Sequence, residues 1–212
     1  MSSVTEPAFT IVGRSSSSFT RVARIFAEEL GVPYRLQVVP DLKSLEVDDY
    51  GGNPALKVPS LRSGDTTWFG ALSICRELAR ISARSSRIVW PEELAQPLLA
   101  NAQELVLHAM STEVGLIMSG TGEQAPDSPH RVKLTQSLIN SLSWLDANVG
   151  AALAALPAER DLSYLEVTLF CLVTHLDFRK VLPTAPHLEL SAFRRVFGAR
   201  PAALSTEYRF DA

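Results

Sequence analysis

The chain has 212 residues, 46% of them hydrophobic and 20% charged, with a formal net charge of −3. That length fits one large domain or two small ones, and the composition excludes a disordered chain, which needs low hydrophobicity and high net charge. A slightly acidic chain without a Lys/Arg run is not expected to bind nucleic acid. The two distant cysteines, Cys75 and Cys171, exclude a disulfide scaffold and suit a reducing, cytoplasmic compartment. No basic, apolar leader stands at the N-terminus. The most apolar run, residues 164–176, is too short to cross a bilayer, so no membrane association is expected.

The first eighty residues alternate strand and helix signals. Residues 9–12 form a short apolar run ending at Gly13, a strand candidate. Four serines follow, and then Phe19, Val22, Phe26 and Leu30 recur at spacings of three and four, one face of a helix. Gly31 and Pro33 stand where that helix should stop. Tyr34, Leu36 and Val38 then alternate as a second strand, giving a βαβ unit that makes a parallel pair. Residues 41–53 are polar and ambiguous. Residues 57–61 and 66–69 are strand candidates joined by Arg62-Ser63-Gly64-Asp65, a turn sequence, and Ile74, Cys75, Leu78 and Ile81 mark a further helix.

Beyond the small, polar residues 82–86 the pattern turns helical. Apolar positions mark a long helix from about Leu94 to Ser119, a loop over 120–129, a second helix around Val132 to Val149, and a last one within 189–197. Ser163 and Glu166 form a capping-box pattern at the start of the apolar run. The domains expected are therefore 1–82, an α/β unit; 83–91, a linker; and 92–212, an all-helical domain.

Two features carry chemistry. A serine hydroxyl at the start of the first helix can cap it, and unpaired N–H groups there favour an anion; a flexible polar turn with one capping serine is the plainer reading. Val58-Pro59 could hold a cis bond or be an ordinary proline at a strand start. The histidines His108, His130, His175 and His187 show no ligand spacing and read as surface or capping residues, so no metal is expected. Cys75 and Cys171 read as buried packing residues.

Ser17-Ser18-Phe19-Thr20-Arg21 with Arg24-Ile25, Glu28-Glu29-Leu30-Gly31-Val32-Pro33-Tyr34, Asn53-Pro54-Ala55-Leu56-Lys57-Val58-Pro59-Ser60-Leu61 and Leu162-Ser163-Tyr164-Leu165-Glu166 together resemble the cytosolic glutathione transferase superfamily over nearly the whole chain. The resemblance implies a thioredoxin-like N-terminal domain, βαβ-ββα, and an all-α helical-bundle domain after it. It implies that Ser17 is the catalytic hydroxyl that stabilises the glutathione thiolate. Phe19, Lys57, Val58, Pro59, Gly70 and Ala71 would bind glutathione, with Val58 pairing to the tripeptide backbone and Pro59 cis. Met110, Val114 and Met118 would line the site of a small hydrophobic electrophile between the domains, although core packing is the alternative for each. A homodimer with a detoxifying transferase activity is implied. One departure stands out: the family's usual Glu-Ser pair at the second helix is Gly70-Ala71 here. A catalytically inactive binding or interaction protein is therefore the alternative, and a glutathione-dependent isomerase or dehalogenase would use the same site.

Overall fold

The computed structural model of the chain describes residues 7–120 and 128–211, so most of the loop expected over 120–129 lies outside the described residues. They group into two units, one drawn from Met1–Ser85 and Arg200–Ala212, the other from Ser86–Ala199. The segment from Arg200 thus departs from the expected 92–212 domain and returns to the first unit.

The first unit begins with β1 (Thr10–Gly13), α1 (Ser18–Leu30), β2 (Arg35–Val38), β3 (Ser60–Ser63), β4 (Thr66–Phe69) and α2 (Ala71–Ile81). The sheet order is β2-β1-β3-β4. β1 runs parallel to β2 and antiparallel to β3, and β3 and β4 form a hairpin in which Ser63 faces Thr66. This is the expected thioredoxin-like arrangement.

α1 buries more than the apolar stripe of its sequence: Arg21 and Arg24 are buried beside Val22, Ile25 and Phe26, while Phe19 is only half-buried. It ends at Gly31, whose φ of 65° is left-handed and whose N–H reaches Ala27 O and Glu28 O. The left-handed conformation calls for glycine; a Cβ there would lie 2.6 Å from Arg84 Nε, at the far end of a side chain that can swing aside. β2 is an edge strand, which leaves its apolar Val38 38% exposed.

β3 starts at Ser60, three residues later than the pattern over 57–61 suggests. Pro59 has no N–H to offer a ladder, so pairing begins after it. The ambiguous stretch before it makes one 3-10 turn, Val47–Tyr50. Tyr50, 1% exposed, packs with Val12 and Val39, and Leu42, Leu56 and Val58 lean on that cluster. The Tyr50 hydroxyl donates to Ser44 O at 3.0 Å, and its carbonyl accepts from the Ser60 hydroxyl at 2.8 Å.

The second unit contains β5 (Ile88–Val89), α3 (Pro97–Ser119), α4 (Pro129–Ala155), β6 (Leu162–Ser163), α5 (Tyr164–Arg179) and α6 (Leu188–Phe197). α3 begins later than Leu94 because a 3-10 turn, Pro91–Glu93, intervenes and Pro97 takes the first helical position, where a missing N–H costs nothing. α3 packs against α4 and α5, and α6 against α4 and α5. α5 is buried on nearly every face, as its continuous apolar run requires. The Ser163 hydroxyl caps it, accepting from Glu166 N at 3.1 Å. The second half of the expected capping box is replaced: the Glu166 carboxylate takes both forks of Arg160, at 2.9 and 2.8 Å, and the Ser163 hydroxyl at 2.7 Å. The parallel pair β5–β6 joins Ile88 to Leu162 and Val89 to Ser163. α7 (Pro201–Ser205) then packs on α1 in the first unit. Among the described residues no helix is long and apolar enough to cross a membrane.

Candidate functional site

Three segments of the first unit meet at one end of its sheet. β1 ends at Gly13, and a turn follows, closed by the Ser17 N–H on Arg14 O at 3.1 Å. Ser17 is the N-cap of α1: its backbone is extended and its Oγ accepts from Thr20 N at 3.2 Å. Of the serine run, Ser15, Ser16 and Ser18 are buried, at 0%, 7% and 1% exposure, and Ser17 is half-buried. Ser17 is therefore the serine that combines the cap with access to solvent. Because a lone pair of its oxygen is engaged by an amide, its own proton is available for donation outward.

The second segment leads into β3. Val12 pairs with Ser60, which sets Pro59 beside the end of β1. The Val58–Pro59 bond is cis. Asn53 shapes the approach: its Nδ2 donates to Lys57 O at 2.8 Å, and its Oδ1 accepts from Ala55 N at 3.0 Å. Val58 is half-buried against the Tyr50 cluster, and Lys57 is exposed.

The third segment is the start of α2. Ser60 pairs with Phe69, and the next amide, Gly70 N, donates to Pro59 O at 3.1 Å. Gly70 has φ 80° and ψ 148° and caps α2 without a side chain. A helix start without a side-chain cap presents orphan N–H groups and the positive end of the helix dipole. The arrangement thus offers a hydroxyl at one helix start, the cis Val58–Pro59 segment beside the end of β1, and anion-favouring amides at a second helix start.

The expected electrophile residues lie on α3 in the second unit. Met110 is 0% exposed and packs in the core, whereas Val114 and Met118 are 37% and 40% exposed. Cys75 and Cys171 are both buried, and neither is in a disulfide. His108 and His130 are exposed, and His187 precedes α6 without a side-chain cap bond. His175 corrects the surface reading: it is 2% exposed, and its Nδ1 lies 2.9 Å from Oε1 of Glu113, itself 0% exposed. Burial pushes the Glu113 carboxyl above the ordinary range, and the nearby His175 partly offsets this. The signal was present in α3: Ala102, Val106, Ala109, Glu113 and Leu116 form its buried stripe, and a carboxylate on such a stripe demands a partner. No group of three or more His, Cys, Asp or Glu residues among the described residues could hold a metal ion. Asp211, which meets the turn before α1, carries no signal in the sequence.

Residues 16–81 match the family profile "Glutathione S-transferase, N-terminal domain". No curated protein sequence matches the chain. Solved structures share its fold at low identity. A glutathione S-transferase from Methylobacillus flagellatus with glutathione bound has a TM-score of 0.74 at 15% identity, covering 95% of this chain and 100% of that one. One from Methylobacterium radiotolerans, in complex with glutathione sulfonate, has a TM-score of 0.70 at 16% identity, covering 96% and 97%. A glutathione transferase family member from Pseudomonas fluorescens with bound S-(propanoic acid)-glutathione has a TM-score of 0.70 at 18% identity, covering 95% and 100%. Residues 16–81 are thus similar to the N-terminal domain of glutathione S-transferases, and the chain shares its fold with these solved structures.

Proposed function

We propose that the protein is a serine-type glutathione transferase that joins the glutathione thiolate to a small hydrophobic electrophile. The observation that carries this reading is the half-buried Ser17 hydroxyl at the N-cap of α1, at the same end of the sheet as the cis Val58–Pro59 bond and the start of α2. Ser17 Oγ accepts from Thr20 N and donates its proton to the glutathione sulfur. One hydrogen bond to a charged group contributes about 1.5–3 kcal/mol, enough to lower a thiol pKa by about one to two units. The thiol proton leaves to water. The thiolate attacks the electrophilic carbon, a carbon–sulfur bond forms, and the leaving group departs with the electron pair of the bond it breaks. Holding both reactants supplies the remaining acceleration.

The rest of the tripeptide follows the same geometry. The Val58 backbone pairs with its extended cysteinyl unit as an added strand would. Lys57 meets the glycine carboxylate, Phe19 flanks the thiol, and the amides at Gly70 and Ala71 receive the γ-glutamyl carboxylate. Val114 and Met118 contact the electrophile; Met110, fully buried, takes no part. The proposed assembly is a cytoplasmic homodimer.

A second reading, an inactive binding or interaction protein, is favoured by Gly70-Ala71, which supply neither the carboxylate nor the hydroxyl usual at those positions. Calorimetry with glutathione and turnover of a reactive aryl halide separate the two. Binding with turnover that collapses in Ser17→Ala supports the transferase. Absence of binding at millimolar glutathione supports the inactive protein, and turnover that survives Ser17→Ala removes the hydroxyl from the mechanism.

A further inference from the structure

The last described segment of the chain runs back along α1 towards the turn that carries Ser17. Arg200 grips Glu29 near the C-terminal end of α1 with both forks, Nε–Oε1 2.7 Å and Nη2–Oε2 3.1 Å. Nearer its start, Arg21 Nη2 donates to Ala203 O at 3.0 Å, and the Arg21 guanidinium carbon lies 4.3 Å from the centre of the Tyr208 ring. Beyond the start of the helix, Asp211 Oδ2 accepts from Ser15 N at 2.8 Å and lies 3.8 Å from Arg14 Nε, with the Asp211 side chain only 7% exposed. Ser15 is the first central residue of the turn closed between Arg14 and Ser17. Its amide points out of that turn, and the partner it finds is a nearly buried carboxylate 196 residues away in sequence.

We propose that Asp211 is a positioning residue: it holds the turn from Arg14 to Ser17 in place and so fixes the direction of the Ser17 hydroxyl. The inference rests on the role proposed above for Ser17, whereas the hold on the turn stands on its own geometry. A three-residue connection between a strand and a helix cap has few ways to be rigid by itself. Ser17 N–H closes the turn from inside, and Ser17 Oγ is tied to Thr20 N on the helix side. Asp211 supplies the tie on the third side, through a charge-assisted hydrogen bond, which is among the stronger kinds. The placement of a donor matters steeply, because a displacement near 1 Å costs about a hundredfold in rate.

The test uses the full chain and two readouts. Amide hydrogen exchange at Ser15 and Ser17 reports on the turn without glutathione. Steady-state turnover of a reactive aryl halide, normalised to sites that bind glutathione by calorimetry, reports on the hydroxyl. In Asp211→Ala, exchange at both amides accelerates by at least about tenfold, as expected when a charge-assisted bond is removed. Turnover per site falls by about tenfold while the glutathione KM stays within about twofold, the split expected when a donor is mis-aimed and ground-state binding is intact. Asp211→Asn keeps an acceptor of the same size and recovers most of both. If Asp211 serves packing alone, melting temperature and the fraction of binding sites drop but turnover per remaining site is unchanged; that result overturns the proposal. Unaltered exchange in Asp211→Ala overturns it as well. If the wild-type protein neither binds nor turns over glutathione, the transferase reading fails, and the exchange result still decides whether Asp211 holds the turn.

Discussion

The carbonyl oxygen of Pro59 accepts the amide of Gly70 at 3.1 Å, so the proline of the cis bond and the residue capping α2 are locked together across the β3–β4 ladder. Gly70 makes this bond at φ 80° and ψ 148°, a region that is essentially glycine's own. A Cβ there would meet nothing within 4 Å. Gly70→Ala therefore isolates backbone strain from crowding: it lowers unfolding free energy by about 1–3 kcal/mol in a denaturant titration. Ala71→Ser adds a hydroxyl at the first helical position without that strain, and calorimetry then shows glutathione binding tighter by about tenfold, the effect of one further hydrogen bond to a charged group.

Ser17 serves as helix cap and, by proposal, as catalytic donor, and the two roles separate by substitution. Ser17→Ala loses both, with about 1 kcal/mol of stability gone along with turnover. Ser17→Asp keeps a good cap and has no proton to donate at neutral pH, so thermal unfolding returns near the wild-type value while turnover stays lost.

The buried pair of Glu113 and His175 predicts a specific pattern in a double-mutant cycle. His175→Leu leaves the Glu113 carboxyl without its partner and costs about 3–5 kcal/mol at neutral pH. Replacing both by leucine costs far less than the sum of the single changes, because the burial penalty on charge goes with the charge. Denaturant titrations of the four proteins measure the cycle.

Glu113 also sets a pH trend. Burial raises the folded-state pKa of Glu113 above its unfolded value. Between the two values the folded chain holds more protons than the unfolded one, so stability falls as pH rises through that window. Glu113→Gln, which cannot ionise, flattens that descent. Comparing unfolding free energies from the ordinary carboxylate range upward tests it.

Glu77 behaves oppositely. Its carboxylate accepts from Arg80 Nε at 2.8 Å and Nη2 at 2.6 Å, and that bonding lowers its folded pKa against the opposing effect of burial. Its contribution is present above the unfolded pKa and is lost as pH falls through the lower folded value. Because the Arg80 side chain is 69% exposed, Glu77→Gln costs at most about 1 kcal/mol at neutral pH, and the loss disappears in acid.

Much of this was written locally in the chain. The Gly31 stop and the Ser163 cap depend on neighbours a few residues away and emerged as their patterns implied, and the α1 stripe did so apart from the half-buried Phe19; the β3–β4 turn is tighter than its four-residue signal, because Arg62 and Ser63 pair within the ladder and only Gly64 and Asp65 connect the strands. Ser17, Val58, Pro59 and Gly70 could be singled out because their order and spacing resemble one family. What stayed hidden depends on distant partners. The β5–β6 pair joins strands of two residues each, too short for any periodicity. The Glu113–His175 pair needs two helices side by side, and the burial of Met110 depends on the same packing. Asp211 looks like any polar residue near a chain end until Ser15 is seen across from it.

The return of the segment from Arg200 has a consequence for how the protein is made. The unit that holds α1 is finished only after the whole of Ser86–Ala199 has been synthesised, because Arg200, Tyr208 and Asp211 complete the surroundings of α1. A nascent chain halted before residue 200 carries α1 with Arg21 and Glu29 stripped of those partners, so this unit gains these anchors only after the intervening unit has been made.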